Sequence, residues 1–172
     1  GREFNAEIAK QLRVVSGTHP KNYRGIREDI STSMNVRYEY DGLGAVTRTY
    51  YPITKDYKMA GYKVRQHPKD FKSPGPMGET GKDCDLFGQF KYRNSSGTII
   101  IVGGEHDQLA AMQMLKDNDP QGKYPEVAVV SGTCGETSLY KQLQGQYNFL
   151  NKFKKIVLCL DNDKAGQEAM EK

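Results

Sequence analysis

Three aliphatic runs in the second half of the chain, each followed by polar residues or glycine, indicate buried strands. They cover residues 98–102, 127–130 and 155–160, and they show no alternation of apolar and polar positions. Such runs are typical of parallel strands covered on both faces of a sheet. Residues 107–116 repeat apolar positions at helical spacing, and a second helix is expected within 136–153. This alternation predicts an α/β fold.

The first half of the chain has a different pattern, rich in tyrosine, in which apolar and polar positions alternate. Three such segments, 35–40, 45–53 and 57–65, are separated by short turns and predict antiparallel strands. Nearer the N-terminus, a helix is expected near residues 5–12. The expected organisation is a linker or added tail, then a small α+β subdomain, then the α/β domain, at residues 1–21, 22–97 and 98–172.

Composition and charge narrow the class of protein only slightly. The chain of 172 residues has a formal net charge of +4 and a sequence pI near 8.8, which allows polyanion binding without establishing it. Its three cysteines lie far apart without a C-x-x-C pair, so we expect reduced thiols. No apolar run reaches the roughly 20 residues of a membrane helix, and we expect a cytoplasmic protein. Because the chain begins with Gly1, we expect a piece of a longer protein.

Acidic residues follow two of the predicted strands at the point where each strand ends. Glu105 and Asp107 come after the first run and two glycines, and Asp161 and Asp163 come after the third run. Carboxyl ends of parallel strands meet at one edge of a sheet, and residues i and i+2 of an extended strand point the same way. Carboxylates placed in this way favour a divalent-metal site. The alternative is that these acids cap the helices that follow.

A basic segment in the first half supplies the opposite charge. Residues 63–72 include Lys63, Arg65, Lys69 and Lys72. Such side chains bind phosphates through charge, and they stabilise the negative charge that develops in phosphoryl transfer. The alternative is a solvated edge strand that lysine protects from pairing.

Several short motifs give these residues a common interpretation. The first acidic segment, Gly103-Gly104 followed by Asp107, and the later Asp161-Asn162-Asp163 resemble the two halves of the acidic signature of the Toprim family. Three further motifs resemble the polymerase domain of the phage primase-helicases within that family. They read KVR, KDFK and DCDLFG, and they occur in that order at residues 63–65, 69–72 and 83–88.

The resemblance implies a fold, an activity and a set of partners. The fold would be a Rossmann-like parallel sheet between helices, incomplete at its C-terminus and preceded by a small α+β subdomain. The activity would be that of a DNA primase, a nucleotidyltransferase that makes short RNA primers in phage DNA replication with Mg²⁺, or Mn²⁺, as cofactor. The partners would be a single-stranded DNA template, ribonucleoside triphosphates and a helicase domain of the same or another chain, in the host cytoplasm and away from membranes.

The resemblance also implies roles for individual residues. Lys63 and Lys69 would bind nucleotide phosphates and support catalysis, and Arg65 and Lys72 would add to nucleotide or nucleic-acid binding. The metal ligands would be Asp107, Asp161 and Asp163.

One position departs from the Toprim signature. Gly103 stands where the signature has a glutamate, and glycine has no side chain with which to bind a metal. Glu105 is the nearby residue expected to compensate, and it therefore joins the candidate catalytic residues. If Gly103 only removes a ligand, Gly103→Glu is expected to raise synthesis by about tenfold or more.

Two other functions stay open at this point. A degenerate primase domain would keep the fold and bind single-stranded DNA beside a helicase without synthesis, and Gly103 favours this alternative. A Toprim nuclease or topoisomerase fragment would use the same acids for strand cleavage. The motifs within residues 63–88 argue against the nuclease or topoisomerase.

Overall fold

An antiparallel sheet forms the first half of the fold. The computed structural model describes Lys10 and residues 23–68 and 75–160, so the helix expected near residues 5–12 lies, apart from Lys10, outside the described residues. The three predicted antiparallel segments are confirmed, and the sheet has the strand order β1-β2-β3-β4. Its elements are helix α1 (Glu28–Ser33), which precedes the sheet, and strands β1 (Arg37–Tyr40), β2 (Val46–Lys55), β3 (Lys58–Gln66) and β4 (Met77–Gly78).

The hairpin between β2 and β3 is fixed by a buried carboxylate from elsewhere in the chain. Its two turn residues, Asp56 and Tyr57, both have positive φ, of 50° and 63°, as a two-residue turn that matches the twist of the strands requires. Asp85 accepts hydrogen bonds from the backbone N–H of Tyr57 at 2.8 Å, from that of Asp56 at 3.2 Å and from Thr54 Oγ1 at 2.6 Å. The backbone carbonyl of Asp85 also accepts a hydrogen bond from Gln142 Nε2 at 3.2 Å, so the DCDLFG motif connects this hairpin to the second half of the chain.

A parallel sheet forms the second half of the fold, as predicted. Its strand order is β6-β5-β7, and Ile100 of the central strand lies between Val129 and Val157. Its elements are β5 (Thr98–Val102), α2 (Glu105–Asn118), β6 (Ala128–Ser131), α3 (Leu139–Gly145), α4 (Tyr147–Leu150) and β7 (Lys155–Cys159); two short 3₁₀ turns cover Gln89–Tyr92 and Glu136–Ser138.

Two details of the predicted second half are wrong. The single helix expected within 136–153 is a 3₁₀ turn and two short α-helices, and the break falls at Gln146, next to Gly145, a residue type that weakens a helix interior. The third strand was expected to be covered on both faces. In β7, however, Ile156 and Leu158 expose 48% and 41% of their surface, and β7 lies at an edge of the described sheet.

Two hydrophobic cores hold the layers together. The first joins α1, the antiparallel sheet and α2 through residues such as Ile30, Tyr51 and Leu109. The second packs Ile99 and Ile101 of β5 against the helices that follow β6. Because α2 joins the first core, it connects the antiparallel sheet to the parallel one and places the start of α2 beside strand β3.

Candidate functional site

The acidic end of β5 meets the basic strand β3 in one contact. After Val102 the chain passes through Gly103 and Gly104, and α2 begins at Glu105. Lys63 Nζ donates a hydrogen bond to Glu105 Oε1 at 2.8 Å. The two side chains differ in solvent exposure: that of Glu105 is 8% exposed and that of Lys63 is 35% exposed. The lysine side chain is therefore partly open to solvent, while its ammonium group is held by a buried carboxylate.

Because side chains alternate between the two faces of β3, a second cationic residue lies on the same face as Lys63. Lys63 and Arg65 are two residues apart on an extended strand and so point to the same face. In the register with β2, they lie opposite Tyr51 and Thr49. Tyr51 is buried, and its pKa is raised first by burial and then by the negative charge of Glu105. Of the predicted basic residues, Lys63 and Arg65 therefore join Glu105 at one site.

The charges around Glu105 shift the pKa values of several groups. Burial raises the pKa of Glu105, and the charge and hydrogen bond of Lys63 oppose that rise. Burial, followed by the charges of Arg24 and Arg65, lowers the pKa of His106 to about 4. The pKa of His67 is also lowered, with burial as the largest cause and the charges of Arg65 and Arg24 after it. The site therefore favours the uncharged imidazole forms of His106 and His67.

Arg24 and His106 are members of this site that the sequence did not assign. Arg24 lies in the segment before α1, far from residues 63 and 106 along the chain, so spacing gave no signal for it. His106 sits between the two acids of the first turn of α2, where the sequence drew attention to its neighbours instead.

A further carboxylate that the sequence missed, Glu136, reaches the same edge from the neighbouring strand. Ser131, the last residue of β6, lies beside Val102, and the loop that follows turns at Gly135 with a φ of +77° before Glu136 opens a 3₁₀ turn. A Cβ built on Gly103 would overlap Glu136 Oε1 and would lie 2.8 Å from its Cδ. The carboxylate of Glu136 thus fills the space above the end of β5.

The predicted metal ligands are only partly described. Asp107 is exposed in the first turn of α2, whereas Asp161 and Asp163, like Lys69 and Lys72 of the basic segment, lie outside the described residues. Within residues 23–68 and 75–160, no group of three or more His, Cys, Asp or Glu side chains is arranged to hold a metal ion. The assignment of Asp107, Asp161 and Asp163 to a metal stays a prediction.

The donor chemistry at this edge suits a hard cation. Asp107 and Glu136 supply carboxylate oxygens, the donors that Mg²⁺ prefers. The last residue of β7, Cys159, lies beside Val102, so the chain leaves β7 at the same edge of the sheet, two residues before Asp161. The donor types at this edge are therefore those that a divalent metal prefers.

Comparison with known proteins places this architecture in a family. The Toprim-like family matches residues 100–172. A DNA helicase/primase of Enterobacteria phage T3 is 33% identical over 135 residues, which are 75% of this chain and 21% of that protein. This chain therefore spans about a fifth of the length of that curated relative.

Two solved structures show the same fold. The crystal structure of the primase fragment of the bacteriophage T7 primase-helicase superposes with a TM-score of 0.73 at 23% identity, over 99% of this chain and 63% of that one. A second structure contains the bacteriophage T7 lagging-strand DNA polymerase with primase domains bound to an RNA/DNA hybrid and dTTP. It matches with a TM-score of 0.71 at 25% identity, over 91% of this chain and 72% of that one.

The parallel sheet, its acidic carboxyl edge and the match at residues 100–172 define a Toprim-like fold. Residues 100–172 belong to the Toprim-like family, and the chain is similar to the primase domains of phage primase-helicases. The resemblance seen in the sequence motifs is thereby confirmed. Among the residues that the structure describes, no helix is both long enough and apolar enough to cross a membrane.

Proposed function

We propose that this chain is the polymerase domain of a phage DNA primase, which uses a divalent metal to join ribonucleoside triphosphates on a single-stranded DNA template. The contact between Lys63 and Glu105 carries the proposal. It places the partly exposed Lys63 of the antiparallel sheet at the carboxyl ends of the parallel strands, where ligands bind in open α/β folds. The family match and the primase domains of similar fold support the same activity.

The cations of the site would bind the triphosphate. Lys63 and Arg65 share one face of β3, and Arg24 lies near enough to lower the pKa of His106 and His67. In nucleotidyl transfer the negative charge grows on the departing pyrophosphate, and fixed cations stabilise it. Because Glu105 holds the Lys63 ammonium by a direct ion pair, we assign Glu105 a positioning role in place of the metal-ligand role expected from the sequence.

The carboxylates would hold the metal. Asp107, Asp161 and Asp163 are the proposed ligands of Mg²⁺, or Mn²⁺, which when bound would offset charge on the reacting phosphates. Burial lowers the pKa of both His106 and His67, which favours their uncharged forms beside the carboxylates. Lys69 and Lys72 would extend the phosphate-binding surface, and a helicase domain of the same or another chain would be a further partner.

Dinucleotide synthesis tests the proposal. The chain would be incubated with single-stranded DNA, a labelled ribonucleoside triphosphate and Mg²⁺ or Mn²⁺, and we expect labelled dinucleotides that require both template and metal. Reactions without template and reactions with a chelator are the controls. Salt-sensitive binding of single-stranded DNA without any product would favour the degenerate, DNA-binding alternative. Cleavage of the DNA instead would favour a Toprim nuclease or topoisomerase.

A further inference from the structure

We infer that Glu136 supplies the carboxylate that the end of β5 lacks, and that it is a ligand of the divalent metal at this edge. The inference rests on the proposed function, because it concerns the metal of the same site. Its first support is the position of the Glu136 carboxylate relative to Gly103. An added Cβ on Gly103 would lie 2.8 Å from Glu136 Cδ and would overlap its Oε1, so the carboxylate stands where a side chain of residue 103 would begin.

The local backbone fixes this position. Strands β5 and β6 run parallel and end side by side at Val102 and Ser131. Gly132 then packs against Leu139, which leaves no room for a side chain there, since a Cβ would lie 2.9 Å from Leu139 Cδ1. Gly135 adopts the left-handed region at a φ of +77°, which glycine tolerates without strain. The loop therefore turns back over the sheet and delivers Glu136 to the end of the neighbouring strand.

Glu136 brings carboxylate oxygens to the end of β5. Its Oε1 atom lies directly over Gly103, and its Oε2 atom is buried. A carboxylate in that place, on the same edge as Asp107, is a hard oxygen donor for Mg²⁺ or Mn²⁺. Gly103 and Glu136 therefore form a matched pair, in which the small residue on one strand makes room for the acid from the next.

This pairing changes the expected effect of Gly103→Glu. A glutamate added at residue 103 would collide with Glu136 and would place two carboxylates in one volume. The single substitution is therefore expected to weaken metal binding or lower stability, in place of the gain expected from the sequence. Only the exchange Gly103→Glu with Glu136→Ala, which moves the acid from one strand to the other, is expected to preserve the site.

Titration with Mn²⁺, followed by the loss of the free-ion electron paramagnetic resonance signal, tests the inference. We expect Glu136→Ala to weaken Mn²⁺ binding by about tenfold or more, and the double variant Gly103→Glu/Glu136→Ala to recover most of that loss. Glu126→Ala is the matched control, because Glu126 is exposed and lies before the amino-terminal end of β6, away from the carboxyl ends of the strands. The Mn²⁺ affinity of this variant should equal that of the parent. Melting curves recorded in the presence of a chelator confirm that each variant folds. If Glu136→Ala does not fold, Glu136→Gln replaces it in the titration.

The outcomes separate this inference from the proposed function. Unchanged Mn²⁺ affinity in both Glu136→Ala and Glu136→Gln, or a double variant no better than Glu136→Ala, would overturn it. A parent chain that binds no Mn²⁺ would overturn it as well. If the parent makes no dinucleotide but the affinities follow the expected pattern, the assignment of Glu136 stands and the proposed synthesis fails.

Discussion

Lys63→Met is expected to lower dinucleotide synthesis by about a hundredfold or more, because it removes a fixed cation from the charge that develops on the triphosphate. Losing one such preorganised group typically raises the barrier by about 3 kcal/mol. Methionine keeps much of the length and the apolar stem of lysine, so the change tests charge more than packing. Lys58→Met is the matched control, since Lys58 is an exposed lysine at the start of the same strand, and its activity should equal that of the parent.

The same substitution is expected to make stability depend more strongly on pH. The pKa of Glu105 is already raised by burial, and Lys63 is the main group that opposes the rise. Without Lys63 the pKa of Glu105 rises further. A carboxyl group whose folded pKa exceeds its unfolded value stabilises the fold fully below the unfolded pKa, and this stabilisation is lost as pH rises through the folded pKa.

Denaturant unfolding at a series of pH values measures this effect. The free energy of unfolding of Lys63→Met should fall below that of the parent increasingly as pH rises above the ordinary pKa of a glutamate. The double variant Lys63→Met/Glu105→Gln removes the titrating group and should lose that pH dependence. A pH-independent difference between Lys63→Met and the parent would contradict the ion pair between Lys63 and the buried Glu105.

Asp85→Ala is expected to lower the free energy of unfolding by about 3 kcal/mol, because it leaves the hairpin donors of Thr54, Asp56 and Tyr57 without their buried acceptor. For a chain of this size, that loss corresponds to a melting temperature lower by roughly 5–10 °C. Asp85→Asn retains one acceptor oxygen and should lose about half as much. Thermal unfolding monitored by circular dichroism gives the measurement.

Asp83→Ala provides the control for that experiment. Asp83 belongs to the same motif, two residues earlier, but it is exposed. A surface substitution of this kind is expected to change stability by no more than about 0.5 kcal/mol. Equal losses in Asp83→Ala and Asp85→Ala would show that the carboxylate of Asp85 does not hold the hairpin.

The periodicity of the sequence was sufficient to predict both sheets. Aliphatic runs without alternation became the parallel strands β5, β6 and β7, and alternating tyrosine-rich segments became antiparallel strands. Burial within the sheet explains the pattern of β5 and β6, whereas Ile156 and Leu158 of β7 are exposed. The second helical region was less predictable. Gly145 lies next to its break, and Phe149 and Leu150 after the break pack into the second core, a tertiary contact that local pattern does not contain.

The candidate site was predicted in its parts but not in its contacts. The sequence assigned Lys63, Arg65 and Glu105 separately, and only the fold brings the lysine to the glutamate. Arg24 lies in the segment before α1, between Tyr23 and Ile26, which pack in or against the first core. Glu136 lies in a loop after a different strand. No periodicity relates residues that come together through the packing of two sheets, so Arg24, His106 and Glu136 could not be assigned from spacing.

The central claim is that carboxylates at the carboxyl edge of the parallel sheet bind a divalent metal, and the melting temperature with and without Mg²⁺ tests it most directly. A ligand present at about 100 times its dissociation constant stabilises the folded state by about 2.7 kcal/mol. The parent should therefore melt at a higher temperature with Mg²⁺, and Asp161→Asn/Asp163→Asn should lose that rise. Asp117 and Asp119 form the same Asp-Asn-Asp sequence at the far end of α2, so Asp117→Asn/Asp119→Asn should keep the rise even if its own melting temperature is lower. An equal rise in Asp161→Asn/Asp163→Asn, or no rise in the parent, would contradict the claim.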